Sequence, residues 1–136
     1  MQVVVDALEP LTLARFWASG LGYEVEDTTA LCEGAMAAGY ATDADVMKDG
    51  GRLYWRTLVG IQDPGGSGPR LLFQRTDRAK EGKNRLHLDL NVGGDRIGEE
   101  VHRLTELGAT VLYEIDEPAG HHVTMADPEG NEYCVQ

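Results

Sequence analysis

Apolar and polar side chains alternate with a period of two from Arg85 to Val92. Four aliphatic side chains share one face of this stretch: Leu86, Leu88, Leu90 and Val92. The opposite face carries His87 and Asp89. Strict alternation is typical of a half-buried strand. The pattern therefore predicts a strand over Arg85–Val92 whose polar face lines either solvent or a cavity.

The spacing changes to a helical period after this strand. Apolar residues recur on one helical face until Gly108: Ile97, Val101, Leu104 and Leu107. The N-terminus has the same order, because the alternating residues Gln2–Ala7 precede a helical run that begins at Pro10 and ends before Gly22. Aligning Gln2 with His87 superimposes the two strands. We interpret the chain as a duplication in which each half is a strand, a helix and further strands.

Weaker patterns predict the remaining elements. Two Ala-rich segments within 28–51, at Ala30–Ala38 and Ala41–Met47, favour short helices with breaks at Gly34 and Gly39. A stretch rich in aromatic and branched residues predicts one strand over Leu53–Ile61. Five further strands and one turn are predicted from alternation and from Gly and Pro: Tyr23–Asp27, Leu71–Arg75, Val111–Ile115, His121–Met125, Glu132–Val135, and the turn Glu117–Gly120.

Adjacent residues on a strand point to opposite faces. His121 shares its face with Val123 and Met125, so the face of His122 and Thr124 is the better candidate for a polar cavity. On the last strand, Glu132 and Cys134 share a face.

Composition limits the classes of partner. The 136 residues carry a net charge of -11 and are 42% apolar, as expected of a soluble globular domain. Phosphate contacts require clustered Lys and Arg, so neither nucleic acid nor an anionic membrane is an expected partner. The basic segment Arg75–Arg85 is interpreted as a solvated connector. The sequence shows no secretory segment at its start and predicts a cytoplasmic protein, although a disulfide between Cys32 and Cys134 stays open.

Three motifs occur in a specific order: RFW in the first helix, LHLDL opening the second half and ADPEGNEYCV near the end. In this order and spacing the chain resembles the vicinal-oxygen-chelate superfamily over nearly its whole length, and most of all its small bacterial glyoxalase-like proteins. The resemblance implies an α+β fold in which two βαβββ modules form a cup-like curved mixed sheet with helices on its outer face. We expect one domain, 1–136, with modules at 1–76 and 84–136 and an insertion near 28–51.

The resemblance also implies where a metal would bind. Metal-dependent members use His or Gln on the first strand, Glu on the fourth, His on the fifth and Glu on the eighth. These positions are matched by Gln2, Gln74, His87 and Cys134, so both carboxylates that a hard cation requires are replaced. No cofactor is therefore favoured and the four residues are interpreted as vestigial ligands. Zn, Ni, Mn or Fe stays possible, because Cys134 and His87 are zinc ligands by type.

Two functions from different classes follow from the resemblance. In the first, the cup binds a small organic molecule without turning it over. In the second, the protein is a metal-dependent lyase, isomerase or dioxygenase with His87 as the candidate catalytic residue. Ordinary glyoxalase I activity is not expected, since its carboxylate base is missing. A homodimer is expected with either function. The predicted ligand-binding residues are Gln2, Tyr54, Gln74, His87, Asp89, His122 and Cys134.

Overall fold

The computed structural model describes residues 1–118 and 120–136, and these form an α+β fold with curved, unclosed mixed sheets. A short 3-10 helix, Gly94–Arg96, precedes the last α-helix. In chain order the elements are β1 (Gln2–Ala7), α1 (Pro10–Leu21), β2 (Glu24–Val25), α2 (Thr29–Ala37), β3 (Val46–Asp49), β4 (Arg52–Trp55), β5 (Leu58–Gln62), β6 (Arg70–Arg75), β7 (Asp89–Leu90), α3 (Ile97–Glu106), β8 (Thr110–Glu117), β9 (Gly120–Ala126) and β10 (Glu132–Val135).

The chain divides into two compact units, which we call unit 1 (Met1–Arg78) and unit 2 (Ala79–Gln136). The sheet of unit 1 has the strand order β1-β6-β5-β2, with β1 and β6 parallel. Helix α1 begins with Pro10, where no backbone donor is needed, and ends at Gly22, whose φ of 69° is readily adopted by glycine. The helix packs its apolar face on β5 and β6. The most deeply buried side chains of this layer are Leu13, Ile61, Leu71 and Phe73.

The sheet of unit 2 has the equivalent order, β7-β10-β9-β8, again with its first pair parallel. Helix α3 packs on β8, β9 and β10. The core between them contains Leu104, Met125, Tyr133 and Val135. The pairing of β8 with β9 shifts between Val111 and Tyr113, so Leu112 forms a β-bulge. Each unit thus has the strand–helix–three-strand order that the duplication predicts.

Unit 1 carries additional elements between β2 and β5. Helix α2 and the antiparallel pair β3–β4 occupy this segment, whereas two residues separate the corresponding strands β8 and β9. The predicted helix at Ala41–Met47 is wrong, because Val46 begins a strand. The backbone and hydroxyl of Thr42 bind the Asp45 carboxylate, 2.8 and 2.9 Å away, and form a local turn in place of helical bonds.

Two other predictions need correction in unit 1. Helix α2 continues through Gly34, where a break was predicted, because a single glycine costs a helix only about 1 kcal/mol. The strand predicted over Leu53–Ile61 is two strands, β4 and β5. The chain changes its pairing partner at the bend between them. Arg56 N still donates to Asp45 O, next to β3, whereas Thr57 O accepts from Arg75 N, at the end of β6.

The strand predicted over Arg85–Val92 is shorter in the structure. Pairing with β10 begins at Leu88, whose carbonyl accepts from Cys134 N at 2.9 Å. Beyond this point the Glu132 carbonyl accepts from the Asn84 side chain, at 3.4 Å. Leu86 is consequently 88% exposed and does not belong to the apolar face. The predicted turn Glu117–Gly120 includes Ala119, which lies outside the described residues.

Candidate functional site

A polar cavity of about 110 Å³ lies in unit 2. Three strands and the segment before β7 contribute its lining. The lining residues are Lys83, His87, Tyr113, His122, Thr124, Glu132 and Cys134. Strand geometry explains why these side chains converge, since His122 and Thr124 alternate onto one face of β9 while Glu132 and Cys134 alternate onto the same face of β10.

Three of the predicted site residues form a cluster that shares His87 and Cys134 with the lining of the cavity. Asp89 on β7 is the register partner of Cys134 on β10. His87 lies two residues before Asp89, and its Nδ1 atom is 3.1 Å from Asp89 Oδ1 and 4.0 Å from Cys134 Sγ. The three donor atoms all lie within 4.8 Å of one another. We call His87, Asp89 and Cys134 the donor cluster.

The geometry of the donor cluster differs from that of a nucleophilic triad. In a triad the histidine uses one ring nitrogen for the nucleophile and the other for the carboxylate. Here both Asp89 and Cys134 approach the same nitrogen of His87. The three groups therefore converge on a point instead of forming a proton relay. Cys134 is buried, and its sulfur lies 3.6 Å from the Thr124 hydroxyl.

Glu132 is held by two lysines of the connector. Lys83 Nζ lies 2.6 Å from one carboxylate oxygen and Lys80 Nζ lies 3.4 Å from the other. The hydrogen bond from Lys83 lowers the pKa of Glu132, and the same bond raises the pKa of Lys83. Glu132 is thus kept ionised and paired, which makes it a charged wall of the cavity rather than a free proton acceptor.

The corresponding place in unit 1 contains an ion pair. Arg70 forms a two-pronged salt bridge with Glu26, at 2.5 Å from Nε and 2.6 Å from Nη2. Its third nitrogen donates to Gln2 Oε1 at 2.5 Å. Glu26 raises the pKa of Arg70, so the guanidinium stays charged. The pair lies over Gly60, where a Cβ would overlap both charged groups.

Strand register identifies the equivalent positions of the two units. Cys134 pairs with Asp89, and Leu72 pairs with Val4, which the duplication aligns with Asp89. Leu72, and not Gln74, is therefore the unit 1 counterpart of Cys134. Gln74 pairs with Asp6, four residues along β1 from Gln2.

The metal set that the resemblance implies does not fit unit 1. The side-chain oxygen of Gln2 already accepts from a permanent cation, Arg70, which would repel a metal ion. Gln74 is exposed at another level of the sheet, and Leu72 offers no donor atom. Only the two unit 2 residues of the implied metal set, His87 and Cys134, have donor atoms close together in the described part of the chain. A third donor residue, Asp89, lies beside them and does not belong to the implied set.

The structure therefore brings together four of the seven predicted ligand-binding residues: His87, Asp89, His122 and Cys134. Gln2, Gln74 and Tyr54 belong to unit 1, and Tyr54 is 4% exposed within β4. Four lining residues were absent from the predicted set: Lys83, Tyr113, Thr124 and Glu132. Alternation along β9 and β10 already indicated Thr124 and Glu132. No sequence signal indicates Tyr113, because it follows a bulge, or Lys83, because it lies in the connector.

Comparisons with known proteins agree with this architecture. A family described as "Glyoxalase-like domain" matches residues 2–136. No curated protein matches the chain. A glyoxalase/bleomycin resistance protein/dioxygenase family enzyme from Burkholderia phytofirmans PsJN shares the fold, with 12% identity, a TM-score of 0.65 and coverage of 98% of this chain and 94% of that one.

Two further solved structures have the same fold. A genomically encoded fosfomycin resistance protein from Listeria monocytogenes, complexed with Mn(II) and 1S,2S-dihydroxypropylphosphonic acid, is 11% identical with a TM-score of 0.59 and coverages of 99% and 84%. The bleomycin-binding protein of Streptomyces verticillus, complexed with copper(II)-bleomycin, is 16% identical with a TM-score of 0.54 and coverages of 100% and 93%. Enzymes and binding proteins thus occur among the structural neighbours.

Proposed function

Because the chain belongs to the glyoxalase-like domain family, we propose that it binds a small organic molecule in the cavity of unit 2 without the usual metal tetrad. The observation that carries this proposal is the hydrogen bond from Arg70 to Gln2. Because of this bond, the Gln2 oxygen that would bind a metal in the implied set accepts from a guanidinium instead. A cavity without that tetrad holds its ligand by shape and a few hydrogen bonds.

The lining of the cavity suggests the chemistry of the ligand. Lys83, His87 and His122 supply hydrogen-bond donors, and Tyr113 supplies an aromatic wall. A volume of about 110 Å³ is below the roughly 300 Å³ at which pockets for drug-sized ligands begin. We therefore propose that a compact acceptor group, such as a carbonyl or carboxylate, enters the cavity while the remainder of the ligand stays outside it.

A second candidate function is a metal-dependent lyase, isomerase or dioxygenase. The donor cluster favours it, because His87, Asp89 and Cys134 are metal-ligand types in mutual reach. In that case His87 contacts the metal and is the candidate catalytic residue. Ordinary glyoxalase I activity is not part of this proposal, since Cys134 stands where the resemblance places a carboxylate.

We also propose a cytoplasmic homodimer. The resemblance supports the assembly, and the acidic composition supports the compartment. Both cysteines are free thiols in the described part of the chain, in keeping with a reducing compartment. Within the described residues, no helix is both long and apolar enough to cross a membrane.

The test is a screen of small carbonyl and carboxylate compounds against the full chain, made with a chelator present and read by ligand-observed NMR. Binding should weaken in Tyr113→Ala and His122→Ala and persist in the control Tyr40→Ala, which changes an 89% exposed tyrosine of unit 1. Equal binding by all three variants would contradict the cavity as the site. Turnover that appears only when metal replaces the chelator would favour the second candidate.

A further inference from the structure

We infer that Glu132 determines the charge of the ligand that the cavity of unit 2 accepts. The site then takes an uncharged carbonyl group, such as a carboxamide or a ketone, and excludes a carboxylate. This selectivity rests on the proposed binding of a small organic molecule and chooses between the two acceptor groups named there. Its basis is the way in which the charged groups around the cavity are already paired.

The cation that faces the cavity has an anion of its own. Lys83 Nζ, which belongs to the lining, lies 2.6 Å from one carboxylate oxygen of Glu132. Lys80 Nζ lies 3.4 Å from the other oxygen, but it also donates to the Gly82 carbonyl at 2.7 Å and is not among the described residues that line the cavity. A carboxylate ligand would therefore have to compete with Glu132 for Lys83.

A histidine of the lining is paired with a second carboxylate. His87 Nδ1 lies 3.1 Å from Asp89 Oδ1. A carboxylate ligand that approached this nitrogen would also approach Asp89, and two carboxylates that share a site repel each other. Each of the two donors, Lys83 and His87, thus lies beside a protein carboxylate that opposes a second anion.

The position of Glu132 makes the repulsion effective. Its side chain is 15% exposed, and partly buried charges are screened by salt much less than exposed ones. A like charge placed at a binding site is a general means of rejecting an unwanted ligand. The net charge of -11 acts in the same direction over a longer distance, because it lowers the local concentration of anions.

An uncharged carbonyl oxygen fits the same groups without displacing them. An ammonium group has three N–H donors, so Lys83 can bind a carbonyl oxygen while it keeps its bond to Glu132. His122 also lines the cavity, and an imidazole has at least one N–H in either protonation state. A carboxamide can in addition donate its own N–H to the Glu132 carboxylate, which a carboxylate ligand cannot do.

The test compares compounds that share a skeleton and differ in charge: acetamide with acetate, propionamide with propionate, and benzamide with benzoate. Each is titrated into the full-length protein at neutral pH with a chelator present, and dissociation constants are measured by ligand-observed NMR. We expect carboxamides to bind at least about 10-fold more tightly than the matched carboxylates, because the like charge of Glu132 opposes only the latter.

Variants identify Glu132 as the cause. Glu132→Gln keeps the shape of the side chain and leaves Lys83 without its carboxylate, so carboxylates should gain at least about 10-fold in affinity while carboxamides change less. Adding Lys83→Met to Glu132→Gln should abolish this gain, since the cation that would bind the carboxylate is gone. Glu106→Gln is the matched control, because it removes the same charge from an exposed position of α3. Denaturation midpoints show whether each variant is folded under the titration conditions, and the preference of the parent protein is measured without any variant.

Two results would overturn the inference: a carboxylate that binds the parent protein as tightly as its carboxamide, or a preference that Glu132→Gln leaves unchanged. The proposed function would survive either result, because a small organic molecule would still bind. Binding of no compound, by the parent or by any variant, would contradict the proposed function, and the charge selectivity would fall with it.

Discussion

Gly60 lies beneath the ion pair of Arg70 and Glu26 on strand β5. A side chain at this position would collide with the carboxylate and with the guanidinium. The absence of a Cβ therefore allows the two charged groups to lie flat against the strand, where Arg70 also reaches Gln2. A single residue without a side chain thus makes room for the guanidinium that binds Gln2.

Substitution of Gly60 by alanine should disturb this arrangement. We expect Gly60→Ala to lower the free energy of unfolding by about 1–3 kcal/mol, the usual cost of overpacking. Gly34→Ala, in a helix with open space around it, should raise the free energy of unfolding by about 0.5–1 kcal/mol. Urea denaturation of both variants measures the difference. A Gly60→Ala protein as stable as the parent would show that the ion pair can move without cost.

The pairing of Glu132 with Lys83 predicts a pH dependence of stability. Because the pKa of Glu132 is lowered from its ordinary value of 4.5 in the folded state, its contribution is present above that value and is lost as pH falls through the lowered pKa. Glu132→Gln should therefore be less stable than the parent at neutral pH and approach the parent's stability as pH falls through the lowered pKa of Glu132. Urea midpoints across this range test the sign, with exposed Glu106→Gln as control. A gap between parent and variant that persists in acid would contradict the assignment.

At the residue scale, sequence reasoning identified the site where strands alternate regularly. His122, Thr124 and Cys134 line the cavity as the period of two predicts. Tyr113 could not be predicted, because the bulge changes which face each residue of β8 occupies. From the sequence, Gln74 was assigned to the metal-ligand position of the fourth strand, but strand pairing places Leu72 there. The register between two strands depends on their pairing, which the sequence does not reveal.

At the scale of elements, helix α3 is anchored by two buried side chains, Ile97 at its start and Leu104 near its end. Leu104 is 1% exposed, whereas Leu107, one turn further along, is 39% exposed. Leu104→Ala should cost about 2–5 kcal/mol because it leaves a cavity against the sheet. Leu107→Ala should cost about 1 kcal/mol or less. Chemical denaturation of this matched pair tests the packing, and equal costs would show that the helix does not rest on Leu104.

Elements whose signals are local were predicted well. The bounds of α1 follow from Pro10 and Gly22, and β10 matches its predicted range, Glu132–Val135. Elements defined by a distant partner were not predicted. The extent of β7 depends on where its pairing with β10 begins, and the division between β4 and β5 depends on a change of pairing partner.

At the scale of the whole molecule, the duplication was visible in the sequence because strand, helix and glycine recur in order. The two sheets have equivalent strand orders, and unit 1 differs by the inserted α2 and β3–β4. The chemistry of the two units has nonetheless diverged, since Arg70 and Leu72 stand where Glu132 and Cys134 stand in unit 2. Shared topology thus predicted the fold but not which unit carries the donor atoms.

The net charge of -11 predicts behaviour toward polyanions. The chain should not retard duplex DNA in an electrophoretic mobility assay at physiological ionic strength, because few basic side chains are available to displace counterions from phosphate. Retardation that falls steeply with added salt would contradict this prediction and would direct attention to the connector Arg75–Arg85.

The bulge at Leu112 also determines how this part of the chain can tolerate changes of length. Beyond the bulge, Tyr113 pairs with Thr124 and Ile115 with His122, on the face that lines the cavity. Loss of Leu112 itself would remove the bulge, because Val111 stays opposite Met125 and Tyr113 stays opposite Thr124, so the following side chains keep their face. A one-residue deletion at position 112 would thus keep this wall of the cavity, whereas a one-residue deletion further along β8 would turn the side chains after it to the opposite face.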